Sequence, residues 1–184
     1  MPTLFDVDQT IAGFRLKYLE MYNWGTFDDK IWRVTPDGKH SLLTGANGSG
    51  KTTVVDALLT LLVPSTKRYY NQSSGIENRR ERNEKSYCLG AYGTIQPDNG
   101  AAAKTQYLRT KDDYSILLVC FCDEGFHQQV TLAQVRWFRR DELKRVFIFS
   151  PHSLTIQEHL SPIDAQGEWK RRLKNIEKTE LFDS

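Results

Sequence analysis

Hydrophobic and polar residues follow one another in patterns that predict a mixed α/β fold. Partial alternation over 14–22 (FRLKYLEMY) and 30–34 (KIWRV) predicts two strands, with a turn at Pro36-Asp37-Gly38 after the second. A short apolar strand is predicted at 40–44 (HSLLT), directly before a glycine-rich stretch. Over 52–63, apolar residues recur at i, i+3, i+4 and i+7, which predicts a helix that the following proline ends. The members of this apolar stripe are Val55, Leu58, Leu59 and Leu62.

The second half of the chain favours an antiparallel meander. A long polar loop is predicted over 65–85, and a basic helix over 168–178 followed by no closing element. The predicted strands between them, joined by short connections typical of hairpins, are 86–95, 105–110, 114–122, 129–138 and 145–150. The expected architecture is therefore strand, glycine loop and helix first, then the meander.

Composition agrees with one soluble globular domain and narrows the class of protein. The chain has 184 residues, of which 39% are hydrophobic and 26% charged, values ordinary for a folded domain. Its longest apolar runs are far shorter than the ~18–20 residues that span a bilayer, and its first residues lack the pattern of a secretory signal. Three cysteines are too few for a disulfide framework. We therefore expect a reduced, cytoplasmic protein without a membrane segment.

Charge is unevenly distributed although the net charge is only +2. Residues 67–85 contain six basic and three acidic side chains, and 170–178 contain five basic side chains and one acid. Such clusters could face phosphate groups, because basic side chains that neutralise phosphates release counterions and so favour binding. They could equally be a solvated loop and a solvated helix face, and the sequence leaves both interpretations open.

The chemistry-bearing motif is GANGSGKT at 45–52, which fits G-x-x-x-x-G-K-[ST] at every fixed position. Its glycines allow the backbone to approach an anion closely, and the N–H groups at the start of the next helix would hold a β-phosphate. Lys51 would bridge the β- and γ-phosphates, and the Thr52 hydroxyl would ligate Mg²⁺. The predicted ATP-binding residues are Gly45, Ala46, Asn47, Gly48, Ser49, Gly50, Lys51, Thr52 and Thr53.

An acidic pair follows the apolar run at 118–122 and has two possible interpretations. If the string LVCFCDE is an hhhhDE motif, Asp123 would hold Mg²⁺ through water and Glu124 would polarise the attacking water. The alternative, which the following alternating strand favours, is a hairpin turn at Asp-Glu-Gly. A GTPase is disfavoured because the chain has no N-K-x-D motif.

The order of these features resembles the N-terminal half of the head of SMC-like ATPases. In that family an Asn-aromatic-x-x-Phe element precedes a G-x-N-G-S-G-K-[ST] loop and a helix with Asp-Ala-[Ile/Leu]. The counterparts here are Asn23, Trp24 and Phe27, then the loop at 45–52, then Asp56-Ala57-Leu58. Residues 69–138 are similar to the MukB-like branch, and within it to the JetC-type subunit of the Wadjet plasmid-defence system.

This resemblance implies an ABC/SMC-type P-loop NTPase head of which 1–184 is a single N-terminal lobe, without the coiled coil and the C-terminal lobe. It implies that ATP and Mg²⁺ are the cofactors, and that no catalytic residue lies within this fragment, which alone would hydrolyse ATP negligibly. The implied partners are the chain's own C-terminal head lobe, a second SMC-like subunit in a homodimer, and DNA. For a Wadjet complex they would include kleisin-type and accessory subunits and a nuclease.

Two other classes of function stay open from the residues alone. One is a free-standing P-loop phosphotransferase that uses Asp123 and Glu124. The other is a nucleotide-dependent DNA-binding or protein-binding adaptor, which the two basic clusters would serve.

Overall fold

The computed structural model describes residues 13–68, 70, 83–96, 102–164 and 167–183, and within them eight strands. Six strands form one antiparallel sheet in the order β2-β1-β5-β6-β7-β8, and β3 and β4 form a separate antiparallel ribbon. The strands are β1 Arg15–Tyr22, β2 Trp32–Val34, β3 Ala91–Ile95, β4 Lys104–Tyr107, β5 Ser115–Asp123, β6 Gln128–Arg139, β7 Glu142–Ser150 and β8 Glu180–Asp183. The α-helices are α1 Lys51–Leu62, α2 Glu84–Leu89 and α3 Glu168–Lys174, with single turns of 3₁₀-helix at Ser65–Lys67 and π-helix at Ile156–Leu160.

The large sheet is buried on both faces, which explains why its central strand β5 has a continuous apolar sequence rather than an alternating one. Ile116 and Leu118 point into one core, and Leu117 and Val119 point into the other. All four are fully buried. Cys120 also packs as a small apolar side chain in the first core, as its sequence context predicts.

The two cores have different covers. On one face the C-terminal part of the chain packs over the sheet through Leu160, Trp169 and Leu173. On the other face Ala57 of α1 and the ring of Trp24 pack over the sheet. The second core places the P-loop helix against β5 and so positions the candidate site.

The predicted strand at 86–95 is wrong over its first half, which forms helix α2. Asn83 begins this helix as a capping box: its side chain accepts from the backbone N–H of Ser86, and the Ser86 hydroxyl accepts from the backbone N–H of Asn83. Gly90 then ends it in the left-handed conformation. The predicted polar loop at 65–85 accordingly begins with a 3₁₀ turn and ends in α2, while 69 and 71–82 lie outside the described residues.

The predicted strand at 40–44 is also wrong. All five residues are exposed, and the side chain of Leu42 is 87% exposed. A strand requires a neighbour that pairs with its backbone N–H and C=O groups. No described residue supplies such a neighbour here, so the apolar sequence before the glycine loop stays without regular structure.

The C-terminal prediction needs two corrections. Helix α3 ends at Lys174 instead of 178, and the chain then turns back as β8, which pairs with β7 through Leu181 opposite Ile148. The expectation that the chain has no closing element is therefore wrong. A four-residue strand, of which Leu181 alone is packed against the core, carries too weak a period to stand out in the sequence.

Candidate nucleotide-binding site

The glycine-rich loop adopts backbone conformations that side chains rarely tolerate. Gly45, Gly48 and Gly50 have φ values of 153°, 82° and 91°. A Cβ atom on Gly45 would come within 2.7 Å of the Ser49 hydroxyl, whereas the space beside Gly48 is open. The positions of the glycines in this motif therefore have a direct conformational cause in this chain.

Lys51 folds back over the loop that precedes it. Its Nζ donates to the carbonyl oxygens of Gly45, at 2.6 Å, and Ala46, at 2.7 Å. Both hydrogen bonds are at the exposed surface, so the ammonium group can exchange these carbonyls for another acceptor at small cost. The arrangement holds the lysine directly beside the loop that is expected to cradle phosphates.

Helix α1 begins immediately after the loop and leaves its first N–H groups open. Gly50 is its N-cap residue in the left-handed conformation, and no side chain caps the helix. The N-terminal N–H groups of a helix carry a partial positive charge and lack internal acceptors. With Thr52 and Thr53 in this first turn, the site offers backbone donors and hydroxyl groups to an anion.

The turn between β1 and β2 supports the start of α1 from the side. Gly25 lies so close to the helix that a Cβ there would meet Thr53 Cγ2 at 2.6 Å. A Cβ on Gly50 would meet the ring of Phe27 at 2.8 Å. The Asn-aromatic-x-x-Phe element singled out in the sequence thus packs against the P-loop. The close approach needs a glycine on each side: Gly25 in the turn, facing Thr53, and Gly50 in the P-loop, facing Phe27.

A buried arginine that sequence reasoning missed holds this turn in place. The Arg109 side chain is 3% exposed, and its Nη1 donates to Asp28 at 2.7 Å. Its Nη2 donates to the carbonyls of Gly25, at 2.8 Å, and Tyr87, at 2.9 Å, and its Nε donates to Cys88 O at 2.7 Å. In the sequence Arg109 is one of many basic residues in a polar stretch, and no local pattern marks it.

The face of α1 that packs on the sheet carries two polar side chains beside apolar ones such as Ala57 and Leu58. Asp56 and Thr60 are both fully buried, and Asp56 accepts a short hydrogen bond from the Tyr87 hydroxyl. The Thr60 hydroxyl donates to the backbone carbonyl of Asp56 at 2.6 Å. The ring of Tyr87 stacks on Trp24 at a centroid distance of 4.7 Å, which ties the P-loop helix to the β1–β2 turn.

The structure places Asp123 and Glu124 in a hairpin far from the glycine loop. Asp123 ends β5, and its carboxylate accepts from the backbone N–H groups of Gly13 and Phe126, at 3.0 and 3.2 Å. Asp123 lies beside the first residue of β1, Arg15, whereas the turn that supports the P-loop follows the last residue of β1, Tyr22. At ~3.3 Å per residue these two ends are about 23 Å apart. This geometry favours the hairpin interpretation over a catalytic pair.

Comparisons with known proteins agree with a P-loop region in this part of the chain. A family model described as the P-loop containing region of AAA domain matches residues 16–77. Two curated relatives, both named Chromosome partition protein MukB and from Vibrio vulnificus strains YJ016 and CMCP6, are each 32% identical over 81 residues. That match covers 43% of this chain and only 5% of each relative.

A solved structure described as "Structural biochemistry of ATP-driven dimerization and DNA stimulated activation of SMC ATPases" is also similar. It aligns with a TM-score of 0.47 and 14% identity, over 87% of this chain and 91% of that chain. The assignment of a P-loop fold to this chain does not rest on that similarity. It rests on the glycine loop, the helix that follows it and the family match to residues 16–77. The chain has a P-loop NTPase fold of mixed α/β type with an antiparallel sheet, which confirms the predicted fold class.

The chain is thus similar to a short segment of the two MukB proteins, and it spans only a small part of their length. None of the described helices is long and apolar enough to cross a membrane.

Proposed function

We propose that this chain is the N-terminal lobe of an SMC-like ATPase head and binds Mg·ATP through residues 45–53. The observation that carries the proposal is the open glycine loop, with Lys51 beside it and an uncapped helix behind it. The same loop geometry suits a polyphosphate, since the space beside Gly48 is free for an anion. Lys51 would neutralise phosphate charge, and Thr52 would supply a hydroxyl ligand to Mg²⁺.

The distribution of apolar surface supports a second lobe of the same protein. Only part of the predicted stripe of α1 faces the described sheet: Leu58 packs against the core, but Val55 is 49% and Leu62 is 45% exposed. Leu42 and Leu43, just before the glycine loop, are also exposed. Exposed apolar side chains grouped around one element are typical of a surface that another part of the protein covers. We infer that strands of a C-terminal head lobe pair with 40–44 and cover this side of α1.

The role of the complete protein follows from the resemblance to SMC-like and MukB proteins. We propose that two heads bind ATP between them and act on DNA, by clamping or loop extrusion. The further assignment to a Wadjet-type anti-plasmid complex, with kleisin-type and accessory subunits and a nuclease, rests on the sequence similarity of 69–138. The protein would work in the cytoplasm, which suits its three unpaired cysteines.

Nucleotide binding is the direct test. We expect the 184-residue chain to bind a fluorescent ATP analogue in the presence of Mg²⁺, and Lys51→Ala to weaken binding at least tenfold, because charge-assisted hydrogen bonds to phosphate contribute about 1.5–3 kcal/mol each. Lys39→Ala is a matched control, since Lys39 is an exposed lysine ahead of the loop. Equal affinity of the Lys51→Ala and Lys39→Ala variants would show that the P-loop assignment is wrong.

Hydrolysis tests the division into lobes separately. We expect the 184-residue chain to turn over ATP negligibly, because the catalytic glutamate and signature motif of the family would lie in the C-terminal lobe. Addition of that lobe should restore turnover. Rapid turnover by the chain alone, lost in the Glu124→Gln variant, would instead support the free-standing phosphotransferase.

A further inference from the structure

Three arginines from different parts of the chain converge on one glutamate. Glu84, the first residue of α2, forms a short ion pair with Arg68, which follows α1. It also pairs with Arg145 of β7 at 3.2 Å and with Arg136 of β6 at 3.5 Å. Within the described residues, Glu84 is the one carboxylate paired with these three guanidinium groups.

Among the described residues, this cluster carries more positive than negative charge, and it lies in a region from which water is largely excluded. The side chain of Arg136 is 0% and that of Arg68 is 4% exposed, so water neutralises little of their charge. Among the described residues, Arg136 Nη1 has no hydrogen-bond partner. Burial lowers the pKa of the Arg136 guanidinium, whose proton nevertheless stays bound at neutral pH. Within the part of the chain that the structure describes, three guanidinium groups meet one carboxylate, and this excess of positive charge favours the approach of an anion.

An open cavity of about 580 Å³ lies directly on the cluster. Arg68, Arg145, Lys85 and Asn83 line it together with two carboxylates, the paired Glu84 and Glu142. The Glu142 carboxylate accepts a hydrogen bond from Lys144 at 2.6 Å, so its charge is offset locally. Arg145 uses only Nη1 toward Glu84, which leaves the other edge of its guanidinium group for a ligand.

We propose that this cavity is a second anion site, which binds a phosphate group through Arg145 and Lys85 while Arg68 and Arg136 supply positive charge behind it. The ligand carries phosphate oxygens because a planar guanidinium edge pairs with them in bidentate fashion. The site is distinct from the P-loop: α1 has 12 residues and separates the two, a length of about 18 Å at 1.5 Å per residue. The proposal is independent of nucleotide binding at Lys51.

The experiment measures binding in a chain whose P-loop no longer contributes. In the Lys51→Ala background, inorganic phosphate is titrated and followed by ³¹P line broadening, and a short double-stranded oligonucleotide is titrated by fluorescence anisotropy at low salt. Arg145→Gln is compared with Arg15→Gln, which alters an exposed arginine at the far end of β1. Thermal unfolding of each variant shows whether the fold is retained.

We expect Arg145→Gln to weaken phosphate binding roughly tenfold or more, and Arg15→Gln to leave it unchanged. Glu84→Gln should strengthen it, because the competing carboxylate is removed while the arginines stay. A purely structural cluster predicts no gain from that change. If the Arg145→Gln variant binds both the oligonucleotide and inorganic phosphate more weakly, the phosphate belongs to a nucleic-acid backbone. If the variant binds only inorganic phosphate more weakly, the ligand is a free phosphate. Equal binding of both probes by the Arg145→Gln and Arg15→Gln variants would overturn the proposal.

Discussion

Replacing Arg109 by methionine should loosen the support of the glycine loop without emptying the space that the side chain fills. Methionine keeps most of the apolar length of arginine but donates no hydrogen bond. The backbone carbonyls of Gly25 and Cys88 then lose the donors that lie 2.8 and 2.7 Å away. The carbonyl of Tyr87 keeps a partner, because Gly25 N donates to it at 2.8 Å.

The magnitude follows from these two carbonyls. A buried acceptor left without a donor costs about 1–3 kcal/mol. The Asp28 side chain is 40% exposed, so water can replace its lost partner and its contribution is small. We therefore expect the free energy of unfolding to fall by about 2–6 kcal/mol. For a chain of this length, that corresponds to a Tm lower by roughly 4–24 °C.

Calorimetry or circular dichroism measures this shift, with Arg15→Met as the control for removal of an exposed arginine. Arg109→Lys should fall between wild type and Arg109→Met, since one ammonium group cannot reach all the acceptors of a planar guanidinium. The affinity for nucleotide should fall as well, because Arg109 holds Gly25 in place and Gly25 lies against Thr53 of the P-loop helix. A Tm within 2 °C of the Arg15→Met variant would refute the reasoning.

Three further perturbations have defined outcomes. Gly50→Ala should lower stability by about 2 kcal/mol and reduce ATP-analogue binding, because φ is 91° there and the new Cβ would meet Phe27 at 2.8 Å; wild-type affinity would contradict it. Leu42→Ser should change the free energy of unfolding by less than about 0.5 kcal/mol in urea, since this side chain is 87% exposed, whereas a loss above about 1 kcal/mol would mean that 40–44 is packed. Burial raises the pKa of Tyr18 to about 12; because an unfolded tyrosine ionises near 10, stability should fall as pH rises from about 10 to 12. Tyr18→Phe should flatten that decline in alkaline denaturation curves, and an unchanged slope would exclude Tyr18 as its source.

Much of the fold follows from local sequence patterns. The predicted strand at 114–122 and β5 differ by one residue at each end, because a run of apolar and β-branched residues bounded by polar turns has few alternatives. The hairpin that follows was also predicted, because Asp123-Glu124-Gly125 is a short polar sequence typical of a turn. Helix α1 was located by its own period and by the glycine loop before it.

What escaped prediction depends on contacts between distant parts of the chain. Arg109 lies 84 residues from Gly25, and Arg136 lies 52 residues from Glu84; neither pair leaves a local signature. The helix α2 was missed for a different reason: its capping box spans only four residues, and the apolar residues after it fit a strand as well as a helix. Propensity alone does not decide such a short segment.

The orientation of α1 links these results to the proposed function. A helix on the surface of a domain turns apolar residues to the core, and α1 does so with Ala57, but it also buries Asp56 and Thr60 there while Val55 and Leu62 remain exposed. Both buried polar side chains have hydrogen-bond partners: the Thr60 hydroxyl donates to the Asp56 backbone carbonyl at 2.6 Å, and the Asp56 carboxylate accepts from the Tyr87 hydroxyl. One face of α1 therefore packs on the described sheet and forms hydrogen bonds there. The other face is exposed and apolar, and we propose that the C-terminal lobe covers it. Under the proposed arrangement, α1 would contact one lobe with each face, and both contacts would begin at the same N-terminal anion site.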